Sequence, residues 1–251
     1  MPYLSNVWRL ISLLLDIQVK IQTSSVYKEG IVFDSANRVG VCPGSLTGDI
    51  RDTNKCLVVI QEWWGMNEQI KQQAANISNQ GPFVTLVPDL YRNRVATDVS
   101  GAVHITRNLD YPGAVKDIQG AARYLLAIGC NKVGVTGFCM GGSLSLASAA
   151  LVPEISASAP FYGIPGDSLA NVSTIRIPVQ CHFGSLDQSN TANPSKYNEL
   201  RQKLDAGGVD YVFYEYLAGH SFTNPHSSNY NETIARVSTQ RMIDFMKQKL
   251  A

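Results

Sequence analysis

Short apolar runs alternate with longer segments of helical periodicity from residue 57 to the end of the chain. The apolar runs predict buried strands, and the periodic segments predict helices that cover them. Strands are predicted at residues 57–60, 83–87, 132–136, 155–161, 179–183 and 211–216. Helices are predicted at residues 67–79, 113–128, 143–150, 194–206 and 232–250, with a loop-rich stretch at 92–112. This alternation is typical of an α/β fold with a mostly parallel sheet and helices on both faces.

The first 50 residues show no such alternation. They predict an N-terminal extension of uncertain structure, at residues 1–50, before a single α/β domain at residues 51–251. Their clearest feature is an apolar run at residues 10–15, which Asp16 interrupts. The run is too short to span a bilayer, which needs about 20 apolar residues. A helix that packs on the domain or on a protein partner is favoured, and a cleaved or organellar targeting segment is the alternative.

Composition narrows the class of protein. Charged residues make up 16% of the chain and the net charge is +1, which argues against a nucleic-acid partner held by phosphate contacts. The five cysteines are odd in number and form no CxxC motif, which favours free thiols in a reducing, cytoplasmic compartment. Four of them are expected to be packing or incidental thiols: Cys42, Cys56, Cys130 and Cys181.

The segment GFCMGG at residues 137–142 joins a predicted strand to a predicted helix. A reactive side chain at such a corner is forced outward, and small residues on either side let the backbone turn tightly. The pattern matches the nucleophile elbow G-x-S-x-G, with cysteine in place of serine. Cys139 is therefore the predicted nucleophile, because a thiolate is a stronger nucleophile than a hydroxyl group.

Three further polar side chains directly follow predicted strands: Glu62, Asp187 and His220. Functional groups of an open parallel sheet gather at the carboxyl ends of its strands, so we expect these residues to meet Cys139. The chain order of nucleophile, acid and histidine is that of α/β-hydrolases. In this hypothesis Cys139 attacks a carbonyl carbon, His220 carries the proton and Asp187 orients the imidazole.

Two backbone N–H groups, those of Trp63 and Met140, are predicted to stabilise the oxyanion. Met140 begins a predicted helix, whose dipole favours negative charge at that end. Trp63 and Trp64 directly follow Glu62 and predict that this carboxyl group is partly buried, with a raised pKa.

Each of these residues taken alone has a structural alternative. Cys139 could be a buried thiol at a tight turn, and Asp187 could be a helix N-cap. His220 could be an ordinary loop histidine and Glu62 a solvated acid. The ordered combination at strand ends favours the catalytic interpretation. By contrast, His182 lies within a predicted strand and is expected to be a core residue.

Five ordered motifs make the chain similar to the dienelactone hydrolase family over about residues 55–250: QEWWG at 61–65, PDLY at 88–91, GFCMGG at 137–142, GSLD at 184–187 and GHSF at 219–222. The resemblance implies an α/β-hydrolase fold with a triad of Cys139, Asp187 and His220. It also implies that Glu62 hydrogen-bonds the resting cysteine and helps to activate it. The family's typical reaction opens an unsaturated lactone to an acid, without a metal or organic cofactor.

Two positions depart from the family's pattern. Where the resemblance implies arginines that hold a substrate carboxylate, this chain has Asn93 and Asn224. Asparagine cannot provide the bidentate, charge-assisted contact that a carboxylate prefers, which disfavours dienelactone itself as the substrate. Arg92 and Arg94 flank the first position and are candidate replacements.

Aromatic residues near the motifs predict an apolar pocket that would suit a small cyclic substrate. The predicted pocket residues are Trp63, Trp64, Tyr91, Phe222, Arg92, Arg94 and Asn224. The favoured function is a cysteine hydrolase that cleaves a lactone or small ester through a thioester acyl-enzyme. The alternative is a hydrolase fold that serves as a structural subunit of a larger complex.

Overall fold

An eight-stranded sheet runs through the computed structural model, which describes residues 27–251. The strands are β1 (Tyr27–Phe33), β2 (Cys42–Thr47), β3 (Lys55–Ile60), β4 (Val84–Pro88), β5 (Lys132–Phe138), β6 (Ile155–Phe161), β7 (Val179–Gly184) and β8 (Tyr211–Tyr216). Their order in the sheet is β1-β2-β4-β3-β5-β6-β7-β8. Strand β2 is antiparallel to both neighbours, and β3 to β8 are parallel.

Helices cover both faces of this sheet. They are α1 (Glu68–Gln80), α2 (Val99–Arg107), α3 (Tyr111–Ala127), α4 (Met140–Leu151), α5 (Pro194–Gly207) and α6 (Glu232–Lys249). Alternate residues of β3 point to opposite faces: Leu57 and Val59 pack in the layer of α1 and α6. Val58 and Ile60 pack in the layer of α3 and α4. Because both faces are covered, the central strands are continuous apolar runs rather than alternating ones.

The predicted α/β fold is confirmed, and the six predicted strands and five predicted helices all lie where the pattern placed them, within about three residues at each end. His182 is a core residue as predicted. Its ring stacks on Phe161 and hydrogen-bonds the Tyr216 hydroxyl and the Gln180 side-chain oxygen, each at 2.9 Å. Burial, with a smaller contribution from Arg241, lowers its pKa to about 3, so the imidazole is neutral.

Two strands and one α-helix were missed by the sequence pattern. Strands β1 and β2 fall within the first 50 residues, and Pro43 and Gly44 in β2 are residues that usually mark turns. Helix α2 lies inside the stretch predicted to be loop-rich. It buries only Ala102 and Ile105, so its apolar face is too short for a clear period, although Asp98 caps its first turn by accepting a hydrogen bond from the Gly101 N–H.

The expectation of free thiols was wrong for two cysteines. Cys56 at the start of β3 and Cys130 in the loop before β5 form a disulfide, with Cα atoms 6.0 Å apart. Neighbouring parallel strands bring the two residues within the range that a disulfide requires, although 74 positions separate them in the chain. The cysteine pattern therefore no longer argues for a reducing compartment, because disulfides persist mainly in oxidising ones.

The apolar run at residues 10–15 and the predicted partner-binding segment around it lie outside the described residues. Within residues 27–251, no helix has the length and apolar composition needed to cross a membrane.

The disulfide generates a stability prediction. Replacing both Cys56 and Cys130 by alanine should lower the free energy of unfolding by about 4 kcal/mol, because the bond restricts a long loop of the unfolded chain. Guanidinium unfolding of the variant and the wild type measures the difference, and a reducing agent should shift only the wild type. Titration of the denatured, non-reduced protein should find the three remaining free thiols, and five thiols would show that the bond is absent.

Candidate active site

A sharp turn between β5 and α4 presents the sulfur of Cys139. The backbone of Cys139 has φ 55° and ψ −115°, a conformation that costs on the order of 1–3 kcal/mol for a residue with a side chain. The neighbouring residues must be small here. A Cβ on Gly141 would clash with the carbonyl oxygen of Ile60, and a Cβ on Gly137 would clash with the carbonyl oxygen of Gly141. The turn therefore packs against β3 and lifts the thiol above the carboxyl edge of the sheet.

The predicted triad residues meet in the structure. His220 lies after β8 with its Nε2 atom 3.0 Å from the Cys139 Sγ atom, and its Nδ1 atom lies 2.7 Å from Asp187 Oδ2. Asp187 follows β7 and is buried, and its other oxygen accepts a hydrogen bond from the Ser189 N–H at 2.8 Å. These contacts join three side chains that lie 81 and 33 positions apart in the chain.

Hydrogen bonds within this group shift the pKa of both titratable partners. Burial alone would raise the pKa of Asp187, but the hydrogen bond and charge of His220 outweigh it and lower the pKa below its ordinary value. Burial alone would lower the pKa of His220, but the contacts with Asp187 and Cys139 raise it to about 10. His220 therefore holds a proton at neutral pH and is suited to donate it.

Glu62 is buried below this group and has partners of its own. The Asn224 side-chain amide donates to Glu62 Oε2 at 2.8 Å, and the Tyr162 hydroxyl donates to Oε1 at 3.3 Å. Burial raises the pKa of Glu62, and the hydrogen bond from Asn224 opposes that rise only in part. The predicted burial and raised pKa are confirmed.

The contacts of the thiol differ from those that the family resemblance implied. Among the described residues, Cys139 Sγ hydrogen-bonds His220, whereas the Glu62 carboxyl group is bound by Asn224 and Tyr162. The physical reason is that Asp187 fixes the imidazole against the sulfur, while the Asn224 amide holds the carboxyl group in its own hydrogen bond.

Tyr162 belongs to this site although sequence reasoning missed it. Its hydroxyl lies 2.5 Å from the Thr223 hydroxyl and also contacts Glu62, and its ring packs edge-on to His220 with centroids 5.2 Å apart. Tyr162 directly follows β6, so the rule that polar groups collect at the carboxyl ends of strands could have found it.

A cavity of about 460 Å³ opens beside the thiol. Trp63, Cys139 and Met140 all line it, so the predicted nucleophile and the two residues that carry the predicted oxyanion donors border one space. Met140 is the first residue of α4, and its N–H therefore has no intrahelical acceptor. Trp63 lies in the loop after β3, so the two candidate donors follow the adjacent strands β3 and β5.

Most of the predicted pocket residues lie elsewhere. Trp64 is half-buried but is not part of the cavity wall. Phe222 is a core residue, and Tyr91 lies behind the wall, where its hydroxyl contacts the Thr106 hydroxyl at 3.0 Å and the Met140 sulfur at 3.1 Å. These aromatic rings pack inward because burying them removes a large apolar area from water.

The two predicted arginines were also assigned wrongly to the pocket. Arg92 forms a bidentate ion pair with buried Asp117, with N–O distances of 2.8 and 3.0 Å. Arg94 is exposed and donates from Nε to the Tyr91 carbonyl oxygen at 3.1 Å. Asn224 is buried with its amide on Glu62, and Asn93 is exposed.

An open, mostly parallel sheet with a cysteine at a strand-to-helix turn, a histidine that contacts the cysteine and an acid that contacts the histidine is the arrangement of the α/β-hydrolase class. The family model of the dienelactone hydrolases matches residues 46–250. The chain therefore belongs to the dienelactone hydrolase family.

Individual relatives agree with this assignment. "Protein usf" of Aquifex pyrophilus is 29% identical over 77% of this chain and 88% of that protein. The carboxymethylenebutenolidase of Pseudomonas putida is 27% identical over 76% of this chain and 84% of that protein. The crystal structure of a putative dienelactone hydrolase from Klebsiella pneumoniae superposes with a TM-score of 0.77 at 20% identity, covering 89% of this chain and 99% of that one.

The environment of Glu62 predicts a pH-dependent stability. Its pKa in the folded protein lies above the ordinary 4.5, so its stabilising contribution is complete below pH 4.5 and is lost as the pH rises through the folded value. Glu62→Gln removes this titration. The unfolding free energy of the variant, measured in urea, should therefore rise relative to that of the wild type as the pH increases above 4.5. Glu199→Gln, at an exposed glutamate, is the control. The prediction would be contradicted if, for both variants, the difference in unfolding free energy from the wild type did not change with pH.

The contrast among the free thiols predicts selective alkylation. Cys42 and Cys181 are buried, and burial raises the pKa of each thiol, whereas Cys139 is partly exposed beside an imidazole. Iodoacetamide at neutral pH should modify Cys139 at least about ten times faster than the other two, as peptide mass spectrometry can measure. His220→Gln should slow this reaction and the exposed control His226→Gln should not. Equal rates at all three thiols would exclude an activated Cys139.

Proposed function

We propose that this protein hydrolyses a lactone or small ester through Cys139, His220 and Asp187, with a thioester acyl-enzyme as the intermediate. The observation that carries the proposal is the 3.0 Å contact between Cys139 Sγ and His220 Nε2 in the wall of the cavity. The names of relatives, such as the Pseudomonas putida carboxymethylenebutenolidase, support a lactone or ester as the substrate.

In the first half of the reaction, the Cys139 sulfur attacks the carbonyl carbon of the bound ester. The negative charge that develops on the carbonyl oxygen is stabilised by the N–H groups of Trp63 and Met140. His220 then donates its proton to the departing alkoxide, and the carbon–oxygen bond breaks to leave a thioester. If the substrate is a lactone, this step opens the ring, and the alcohol stays at the far end of the acyl chain that is bound to Cys139.

In the second half, a water molecule attacks the thioester while His220 takes its proton. The carbon–sulfur bond breaks, the acid is released, and the imidazole and sulfur return to their starting state. Asp187 keeps the ring in the required orientation and stabilises its protonated form in both halves. In this cycle His220 carries the proton that the alkoxide receives and the proton that the water loses. The two half-reactions need no group beyond these residues and water.

Glu62 acts on this cycle as a positioning residue in our proposal. Its carboxyl group is close enough to His220 for their charges to interact, and it holds the Asn224 and Tyr162 side chains together below the triad. Tyr162 in turn packs its ring against His220. The buried acid therefore supports the position of the imidazole through Tyr162.

The nucleophile is tested with p-nitrophenyl acetate. Cys139→Ala should lower kcat/KM by at least about 10³-fold, and Asp187→Asn by about 10²–10⁴-fold, because the thiol and the correct imidazole tautomer are lost. Ser143→Ala is a matched control, since Ser143 also carries a nucleophilic side chain in the cavity wall. Equal rates for the wild type and Cys139→Ala would refute the proposal, as would a loss of activity in Ser143→Ala alone.

A further inference from the structure

The wall of the cavity beside Cys139 is built from electrically neutral side chains. Apolar and aromatic groups form most of it, chiefly Trp63, Tyr111, Ile164 and Leu169. The polar side chains in the wall are hydroxyls, among them Thr106 and Ser168. A carboxylate that entered this space would lose hydration without gaining a cationic partner from the described lining residues, which is costly.

Neither of the two arginines considered for the pocket supplies a positive charge to the cavity wall: Arg94 is exposed and does not line the cavity, and Arg92 is bound to another group. Both terminal nitrogens of the Arg92 guanidinium contact the two oxygens of Asp117, which is fully buried. Breaking that pair to reach a substrate would leave an uncompensated carboxylate inside the protein. Arg92 therefore stabilises the fold and is not available to bind a substrate in the cavity.

Asn224, four residues after His220, is also hydrogen-bonded within the protein. The Asn224 amide donates to Glu62 Oε2 at 2.8 Å, and its side-chain oxygen accepts from the His226 N–H at 2.9 Å. Both ends of this amide are thus satisfied within the protein. Among the triad residues, the positive charge of His220 is balanced by the adjacent Asp187, so the pair adds no net positive charge for an anion.

We infer that this enzyme selects substrates with an uncharged acyl group. Its substrates are apolar esters or lactones, and esters whose acyl group carries a free carboxylate are rejected at the cavity wall. This inference rests on the proposed function and specifies its substrate class. A volume of about 460 Å³ accommodates such a substrate, since pockets for small molecules span about 300–1,000 Å³.

A matched pair of esters tests the inference with the full chain. We compare p-nitrophenyl hexanoate with mono-p-nitrophenyl adipate, which share a leaving group and acyl chain length and differ in a terminal methyl or carboxylate group. The rate of Cys139→Ala is subtracted as background. The expected result is a kcat/KM for hexanoate at least about 100-fold above that for adipate. Equal values would overturn the inference.

A gain-of-function variant tests whether the neutral wall is the cause. Ser168 is exposed at the cavity, so a long side chain there can reach the acyl group without disturbing the core. Ser168→Arg should raise kcat/KM for adipate relative to hexanoate by at least about tenfold, because a guanidinium binds carboxylates well. The neutral Ser168→Gln variant should leave that ratio as in the wild type. An unchanged ratio in Ser168→Arg would overturn the assignment of selectivity to the wall.

The two proposals fail in different ways. If neither ester is cleaved in a Cys139-dependent manner, then the proposed hydrolase function is wrong. If hexanoate is cleaved by Cys139 and adipate is cleaved equally well, then the function stands and the inferred preference for uncharged substrates is wrong.

Discussion

The close approach of the Cys139 turn to β3 is the constraint on which the site depends. Gly141 lies against the Ile60 carbonyl so tightly that no Cβ fits between them, and this contact holds Cys139 in its positive-φ conformation. The same contact brings the start of α4 beside the end of β3. As a result, Cys139 and the two residues that carry the candidate oxyanion donors line one cavity. A looser turn would move the sulfur away from His220, whose own position is set independently by β7, β8 and Asp187.

Three buried acids lie in this region of the protein, and each has a different hydrogen-bond or ion-pair partner. Asp187 is stabilised as an anion by His220, which lowers its pKa. Asp117 is paired with Arg92, and this pair ties α3 to the loop after β4. Burial dominates at Glu62 and raises its pKa, because the hydrogen bonds from neutral partners such as Asn224 and the charge of His220 oppose that rise only in part. Arg92 and His220 are therefore paired with buried acids, and the lining residues of the cavity are neutral.

Much of this could be predicted from the sequence because it is encoded locally. The strand that ends at Phe138, the small residues around Cys139 and the helix that follows lie within one short segment. Asp187 and His220 could be found because parallel strands direct their carboxyl ends to one edge. The pocket was predicted less well. Tyr91, Arg92 and Phe222 are near the motifs in the chain, but packing turns them into the core or onto Asp117.

The sequence by itself determined the alternation of strands and helices from β3 onward, apart from α2, and the edge of the sheet where Cys139, Asp187 and His220 come together. Tertiary structure alone decided which distant side chains became partners. Glu62 meets Asn224 across 162 positions, Arg92 meets Asp117 across 25, and Cys56 is bonded to Cys130 across 74. The physical reason is that local periodicity specifies which face of an element is buried. The neighbour it meets there depends on the order of strands in the sheet and on the packing of helices, and neither is written in any one segment.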